Sequence, residues 1–252
     1  MSVMLFQIYK TTLSLLAISI LTLGISCKEN TKKEEKTIAE KPVEPKQEWI
    51  ALFDGTSTDG WRGFNQETLP KSWVVEDGCL KSLGTGGDIG GDIVYGAKEF
   101  ENFILKMEWK ISEAGNSGIF YHVQEGEQYE SPYQNAPEYQ VLDDIGFPPP
   151  LEDWQMLGAD YAMYAADTTQ KVVKPAGEWN TTKIVFTPDN AEYWLNGKKV
   201  VQFDPWSDDW NKRKAEGKWK DYPDYGVAKK GLIGLQDHGS FIWYRDIKIK
   251  EL

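Results

Sequence analysis

Apolar and polar positions alternate with a period of two through most of residues 49–252, and almost nothing there keeps a helical period. Phe103, Leu105, Met107 and Trp109 alternate with Ile104, Lys106, Glu108 and Lys110, which predicts a strand with one buried face. WVVEDGCLKSL predicts two strands around Glu76, Asp77 and Gly78. FTPDNAEYWLNGKKVVQF predicts hairpins turning at Asp189–Asn190 and Asn196–Gly197. GNSGIFYHV, GEWNTTKIVF and FIWYRDIKIKEL add further runs, and short helical stretches are expected only at Asp209–Ala215 and around Trp154. Many short strands between Gly, Asn and Asp turns predict an all-β chain of two antiparallel sheets, a sandwich or jelly roll, with a barrel as the alternative.

Two of these strands carry chemistry. In PEYQVLDD, Tyr139 and Val141 can enter a core while Glu138 and Gln140 share the opposite face. In GLIGLQDHG, Ile233 and Leu235 point inward, and Gly234, Gln236 and His238 alternate with them. Together they predict a groove that recognises or cleaves something polar. The alternative is a plainly solvated sheet face. The segment from Gly146 to Lys174, headed by Pro148, Pro149 and Pro150, is a long irregular loop of the kind that serves binding.

The first residues read as a leader rather than as fold. Lys10 precedes an apolar stretch, Leu13 to Ile25, that is short for a membrane span and ends at Cys27. LTLGISC resembles a bacterial lipoprotein cleavage site, with Gly24 and Ser26 before the cysteine that would carry lipid. The expected layout is a signal peptide over 1–26, a lipid-anchored tether over 27–46 with almost no large apolar side chains, and one β-domain over 47–252. Lys28 and Glu29 resemble the export signal of some Bacteroidetes surface lipoproteins. This places the protein in the cell envelope, anchored to the outer membrane on its periplasmic face or at the surface. Cys79 is the one other cysteine, so neither a disulfide framework nor a thiolate metal site is available. The chain carries a formal charge of −11, and −13 once leader and tether, each one positive charge in excess, are removed; nucleic acid is therefore a poor partner.

Six segments in order, GGDIVYGAKEFENFILKMEWKI, GNSGIFYHV, PEYQVLDD, PAGEWN, YWLNGKKV and GLIGLQDHGSFIWYRDIKIKEL, resemble the 3-keto-disaccharide hydrolase family over Trp49–Leu252. The resemblance implies a concanavalin A-like β-sandwich. It also implies glycoside substrates whose glucose ring a partner sugar 3-dehydrogenase has first oxidised to a ketone at position 3. The family positions it carries over are Glu138, Gln140 and Asp143, Asn116 and Ser117, and Gln236, Asp237 and His238. At His122 many relatives carry Arg, so substrate preference there is expected to differ.

Two mechanisms use these residues differently. Retaining hydrolysis needs two carboxyl groups about 5 Å apart. Glu138 and Asp143 are spaced similarly to the E-x-D-x-x-E strand of laminarinase-like glucanases, with Gln140 in the middle acid's place. In a regular strand they fall on opposite faces and more than ~15 Å apart, at ~3.3 Å per residue, which weakens that route. A C3 ketone instead acidifies the C2 hydrogen and allows β-elimination of the C1 substituent by a single base, followed by hydration. The catalytic candidates are Glu138 and His238. Asn116, Gln140 and Gln236 would hold hydroxyls, with His122, Asp143 and Trp154 as further substrate contacts. A divalent ion is also expected as an option: calcium on Asp143 and Asp144 with Glu138, or a transition metal on His122 and His238. The competing class is a non-catalytic, lectin-like lipoprotein that stacks sugars on Trp154, Trp206 or Trp210.

Overall fold

The computed structural model describes residues 48–87 and 91–252; the expected leader, Cys27 and the tether lie outside them. The strands in chain order are β1 (Ile50–Ala51), β2 (Trp61–Gly63), β3 (Trp73–Glu76), β4 (Cys79–Leu83), β5 (Ile93–Phe100), β6 (Phe103–Ile111), β7 (Asn116–Val123), β8 (Glu138–Leu142), β9 (Asn180–Thr187), β10 (Asn190–Leu195) and β11 (Lys198–Phe203), followed by helix α1 (Asp208–Glu216) and then β12 (Gly231–Leu235) and β13 (Phe241–Glu251). They form two sheets, ordered β11-β10-β9-β6-β13-β4-β3 with β1 added on β13, and β2-β5-β12-β7-β8. All pairings are antiparallel. The chain is a two-sheet sandwich, and the barrel alternative falls.

Local chemistry explains the turns. Asn196 and Gly197 have φ of 48° and 80°, and Asp77 and Gly78 have 51° and 73°; this is the doubly left-handed geometry of tight hairpins, which Asn, Asp and Gly tolerate. β6 keeps the expected alternation, with Phe103, Leu105, Met107 and Trp109 buried. They meet Ile119 and Tyr121 of β7, Tyr139 and Val141 of β8, and Ile233 and Leu235 of β12 in one apolar core. The expected helix is α1, where Ser207 Oγ accepts the Trp210 N–H at 3.2 Å and so caps the first turn. Trp154 sits in a 3-10 turn, Asp153–Gln155.

β8 is the end strand of the five-stranded sheet, and its outer edge is not bare. Gln140 N–H donates to Ala159 O at 3.0 Å, Gly158 N–H to Gln140 O at 2.9 Å, and Tyr161 N–H to Glu138 O at 3.0 Å. The long loop thus docks on the strand as a partial extra strand and satisfies its edge. Glu138 and Gln140 lie on the face away from the core, as expected, yet they are only 4% and 3% exposed, so the solvated-face alternative also falls.

A stack of rings supports that loop. Trp219 is fully buried, stacks on Tyr225 with centroids 4.1 Å apart, and donates its indole N–H to Tyr161 O at 3.2 Å. Tyr225 in turn stacks on Trp210 of α1. Trp219→Ala is expected to destabilise the protein by ~3–5 kcal/mol, the range for deleting a large buried ring; urea unfolding of the two proteins side by side measures it.

Candidate active site

Glu138, Gln140, Asn116, Gln236, His238, Tyr133, Tyr161 and Lys218 line one cavity of about 330 Å³. Its floor is the outer face of β8, β7 and the end of β12. Gly118 of β7 pairs in register with Gln140, and Gln236 N–H donates to Gly118 O at 3.0 Å, so three strands place their polar side chains side by side. Gly118 is required here, because a Cβ at that position would overlap the Glu138 carboxyl oxygen Oε1. The carboxyl of Glu138 therefore lies across the backbone of the neighbouring strand.

Burial pushes the Glu138 carboxyl up from its ordinary 4.5 to about 8, against the attraction of Lys218 and with the help of the negative charges of Asp92 and Asp160. Asp160 lies beneath the floor, fully buried, its own carboxyl raised to about 8 by burial while the Tyr193 hydroxyl donates to its Oδ1 at 3.1 Å. Asn116 Oδ1 and Gln236 Oε1 are buried without a hydrogen-bond partner among the described residues. Two orphaned acceptors in one cavity mark places for ligand hydroxyls, since such groups are costly to leave unpaired. Gln140 Nε2 donates to Gln155 O at 3.0 Å and so ties the floor to the loop.

His238 follows β12 and reaches the cavity from the side away from β8, exposed to solvent. Its turn is clamped by Asp237, whose carboxylate accepts the Gly86 N–H at 2.9 Å and the Gly239 N–H at 3.2 Å, while Asp237 N–H donates to Asp92 Oδ1 at 2.9 Å. Ser117 faces inward, its hydroxyl donating to Gln236 O at 2.7 Å and meeting Tyr244 Oη at 2.9 Å. Asp237 and Ser117 thus position the floor and do not line it.

Six of the expected residues lie elsewhere. His122 is buried against Phe103, Tyr121 and Phe186, with Nε2 2.8 Å from Glu101 O, and burial lowers its imidazole to about 4. Strand alternation would place it on the face of Phe120. A bulge against β12, where three steps on β7 span two on β12 and His122 adopts a φ of 58°, turns it inward. Asp143 lines a separate groove with Lys110 and Trp243, and its oxygens accept the N–H groups of Ala114 at 2.9 Å and Ile145 at 3.3 Å. Asp144 pairs with buried Lys171 and accepts the Leu157 N–H at 2.8 Å. Trp154 stands behind the wall, edge-on to Tyr161 with centroids 5.3 Å apart. Trp206 and Trp210 do not line the cavity either: Trp206 donates to Gly226 O at 2.7 Å, and Trp210 is packed on Tyr225.

The donor sets expected for a metal therefore do not converge. The two aspartates hold backbone and lysine, and His122 faces the core while His238 faces the cavity. Among the described residues no group of three or more His, Cys, Asp or Glu side chains is placed to hold an ion.

The wall residues Lys218, Tyr161 and Tyr133 were not singled out from the sequence. Tyr161 belongs to the loop expected to serve binding, but nothing in the spacing of LEDWQMLGADYA marks which ring turns to the cavity. Lys218 Nζ sits over three rings, Tyr161 at 4.3 Å, Trp219 at 4.8 Å and Tyr133 at 5.8 Å from their centroids. Asp143→Ala strands two backbone donors and should cost about 1–3 kcal/mol by chemical denaturation. Gly118→Ala should keep the fold and displace the Glu138 carboxyl, lowering turnover by ~10-fold or more, as misplaced catalytic groups do. Steady-state rates beside circular dichroism test it.

Comparison with known proteins agrees with this architecture. A Bacteroides thetaiotaomicron protein named 3-keto-disaccharide hydrolase is 34% identical over 258 aligned positions, covering 91% of this chain and 87% of its own. A crystal structure from Parabacteroides distasonis, of a protein provisionally named a glycosyl hydrolase, superposes with a TM-score of 0.75 at 42% identity, covering 81% of this chain and 94% of that one. A second structure from the same organism, with the same provisional name, reaches 0.63 at 29% identity, over 81% and 100% of the two chains. The model of the 3-keto-alpha-glucoside-1,2-lyase-like domain matches residues 48–250, and the chain belongs to that family.

Proposed function

We propose that the protein cleaves glycosides bearing a ketone at C3, with Glu138 removing the C2 proton, the C1 substituent leaving by β-elimination, and water adding afterwards to give net hydrolysis. One observation carries this reading: among the described residues that line the cavity, Glu138 is the sole carboxylate. Direct displacement at the anomeric carbon uses two carboxyl groups flanking the bond. The second acid expected from the sequence, Asp143, faces another groove. A single carboxyl raised to about 8 is matched to abstracting a carbon-bound proton near neutral pH.

Asn116 Oδ1 and Gln236 Oε1 accept the sugar hydroxyls. His238, on the opposite side of the floor from Glu138, faces the departing C1 oxygen. The name of the Bacteroides thetaiotaomicron relative and the family description both support a 3-keto sugar as substrate. An enzyme that oxidises the C3 hydroxyl has to act beforehand. Cys27 as lipid carrier, and with it an envelope location, rests on the leader sequence and is checked by labelling the expressed protein with a radioactive fatty acid.

Glu138→Gln is expected to lower turnover of a 3-keto-glucoside by ~10²–10⁴-fold, the usual contribution of a general base. The unoxidised glucoside should be inert with either protein. Full turnover by Glu138→Gln would end the reading. In the wild type, kcat/KM should rise with pH through an apparent pKa near 8, because the base acts deprotonated. Stability moves the other way: the folded state holds this proton more tightly than the unfolded chain, so its contribution is complete below 4.5 and is lost as pH rises through about 8. Denaturation at a series of pH values, with Glu138→Gln as reference, tests the sign.

A further inference from the structure

Lys218 is a cation that no local pattern in the chain places near the floor, and the elimination chemistry leaves one demand unmet. When the C2 proton leaves, its electron pair forms the C2–C3 double bond of an enolate and the carbonyl pair moves onto the C3 oxygen. That charge needs a fixed donor before it can collapse back, re-forming the carbonyl, creating the C1–C2 double bond and breaking the bond to the leaving group. The orphaned oxygens Asn116 Oδ1 and Gln236 Oε1 are acceptors, and of the side chains that line the cavity and can donate, Lys218 is the one that carries an ammonium rather than a neutral amide, hydroxyl or imidazole.

The geometry supplies the donor. Lys218 lines the same cavity as Glu138, and its charge acts on the Glu138 carboxyl. Tyr161, the nearest ring to its ammonium at 4.3 Å, is hydrogen-bonded through its N–H to the backbone of Glu138, which puts lysine and base on the β8 side of the floor. His238 enters from beyond β12, two strands across, or about 10 Å at ~4.8 Å per strand spacing. A pyranose lying over β7 then turns C2 and C3 to Glu138 and Lys218 and its C1 substituent to His238. Three rings hold the ammonium in place, as cation–π contacts do, so little reorganisation is needed when charge develops.

We propose that Lys218 is a catalytic residue whose ammonium receives the negative charge developing on the C3 oxygen. It gives up no proton over the cycle and forms no covalent bond. The inference rests on the C2-proton reading above.

The test uses the purified protein with methyl and 4-nitrophenyl 3-keto-glucosides, comparing wild type, Lys218→Met, Lys218→Arg and Glu138→Gln. Lys218→Met is expected to lower kcat by ~10²–10³-fold on both substrates, the loss found for removing one charge-stabilising donor, with KM nearly unchanged. Lys218→Arg, which keeps the charge, should recover part of that loss. Near-wild-type turnover by Lys218→Met beside an inactive Glu138→Gln would overturn the role of Lys218 and leave the base intact. A loss confined to the methyl glycoside, whose leaving group needs a proton, would also overturn it, by moving Lys218 to the C1 oxygen. Reductive trapping of substrate on Lys218 by borohydride would do so too, by showing a covalent imine. Full turnover by Glu138→Gln would instead remove the C2-proton reading on which the inference stands.

Discussion

A carboxylate kept out of water governs this molecule. Glu138 sits on the last strand of a sheet, a place where side chains are ordinarily wet, and it remains 4% exposed because three separate features close around it. Gly118 lets the carboxyl lie flat on the adjacent strand, residues 158–161 bond along the free edge, and the stack of Trp219, Tyr225 and Trp210 holds that loop down. Each has a cost in isolation: a glycine in a strand, a long ordered loop, a buried acid. Together they make a carboxyl that binds its proton far more tightly than an acid in water does. Chemistry and packing are here one arrangement seen at two scales.

The polar floor adds a second property. Its acceptors, Asn116 Oδ1 and Gln236 Oε1, are buried without a partner among the described residues, and the backbone beside them is pinned by Ser117 and Asp237. Buried oxygens left without a donor are costly, and a ligand that brings hydroxyls to both relieves that cost. That arrangement favours a ligand whose hydroxyls are held at fixed spacing on a ring.

How much of this was written in the sequence depended on whether the signal was local. The two-sheet sandwich was legible because period-two alternation and Asn–Gly or Asp–Gly turns act over a few residues, and β6 and the β9–β11 hairpins fall where those patterns place them. Glu138, Gln140 and Asn116 meet in one cavity because β8 and the start of β7 carried their alternation through, and Gln236 and His238 join them from the turn after β12. His122 did not, since one bulged residue reverses which face a side chain takes, and the bulge depends on pairing with β12, more than a hundred residues away. Asp143 and Asp144 looked like metal ligands because acidic pairs resemble them. In the fold both accept backbone N–H groups and Asp144 also pairs with Lys171, bonds that only the assembled loops define. Lys218 was invisible for the converse reason: a lysine in a lysine-rich stretch gains meaning only when Tyr133 and Tyr161, from distant segments, join Trp219 around it.

The strip of loop along β8 has a bearing on solubility as well as on the site. An uncovered end strand offers a row of free N–H and C=O groups on which another chain can continue the sheet. Here the backbone of Gly158 to Tyr161 occupies that row, so the segment that walls the cavity also denies the edge to neighbouring molecules. Sequence drift that loosened this loop would open a polymerisation surface at the same moment that it exposed the acid, which ties inheritance of the site to inheritance of a chain that stays dispersed.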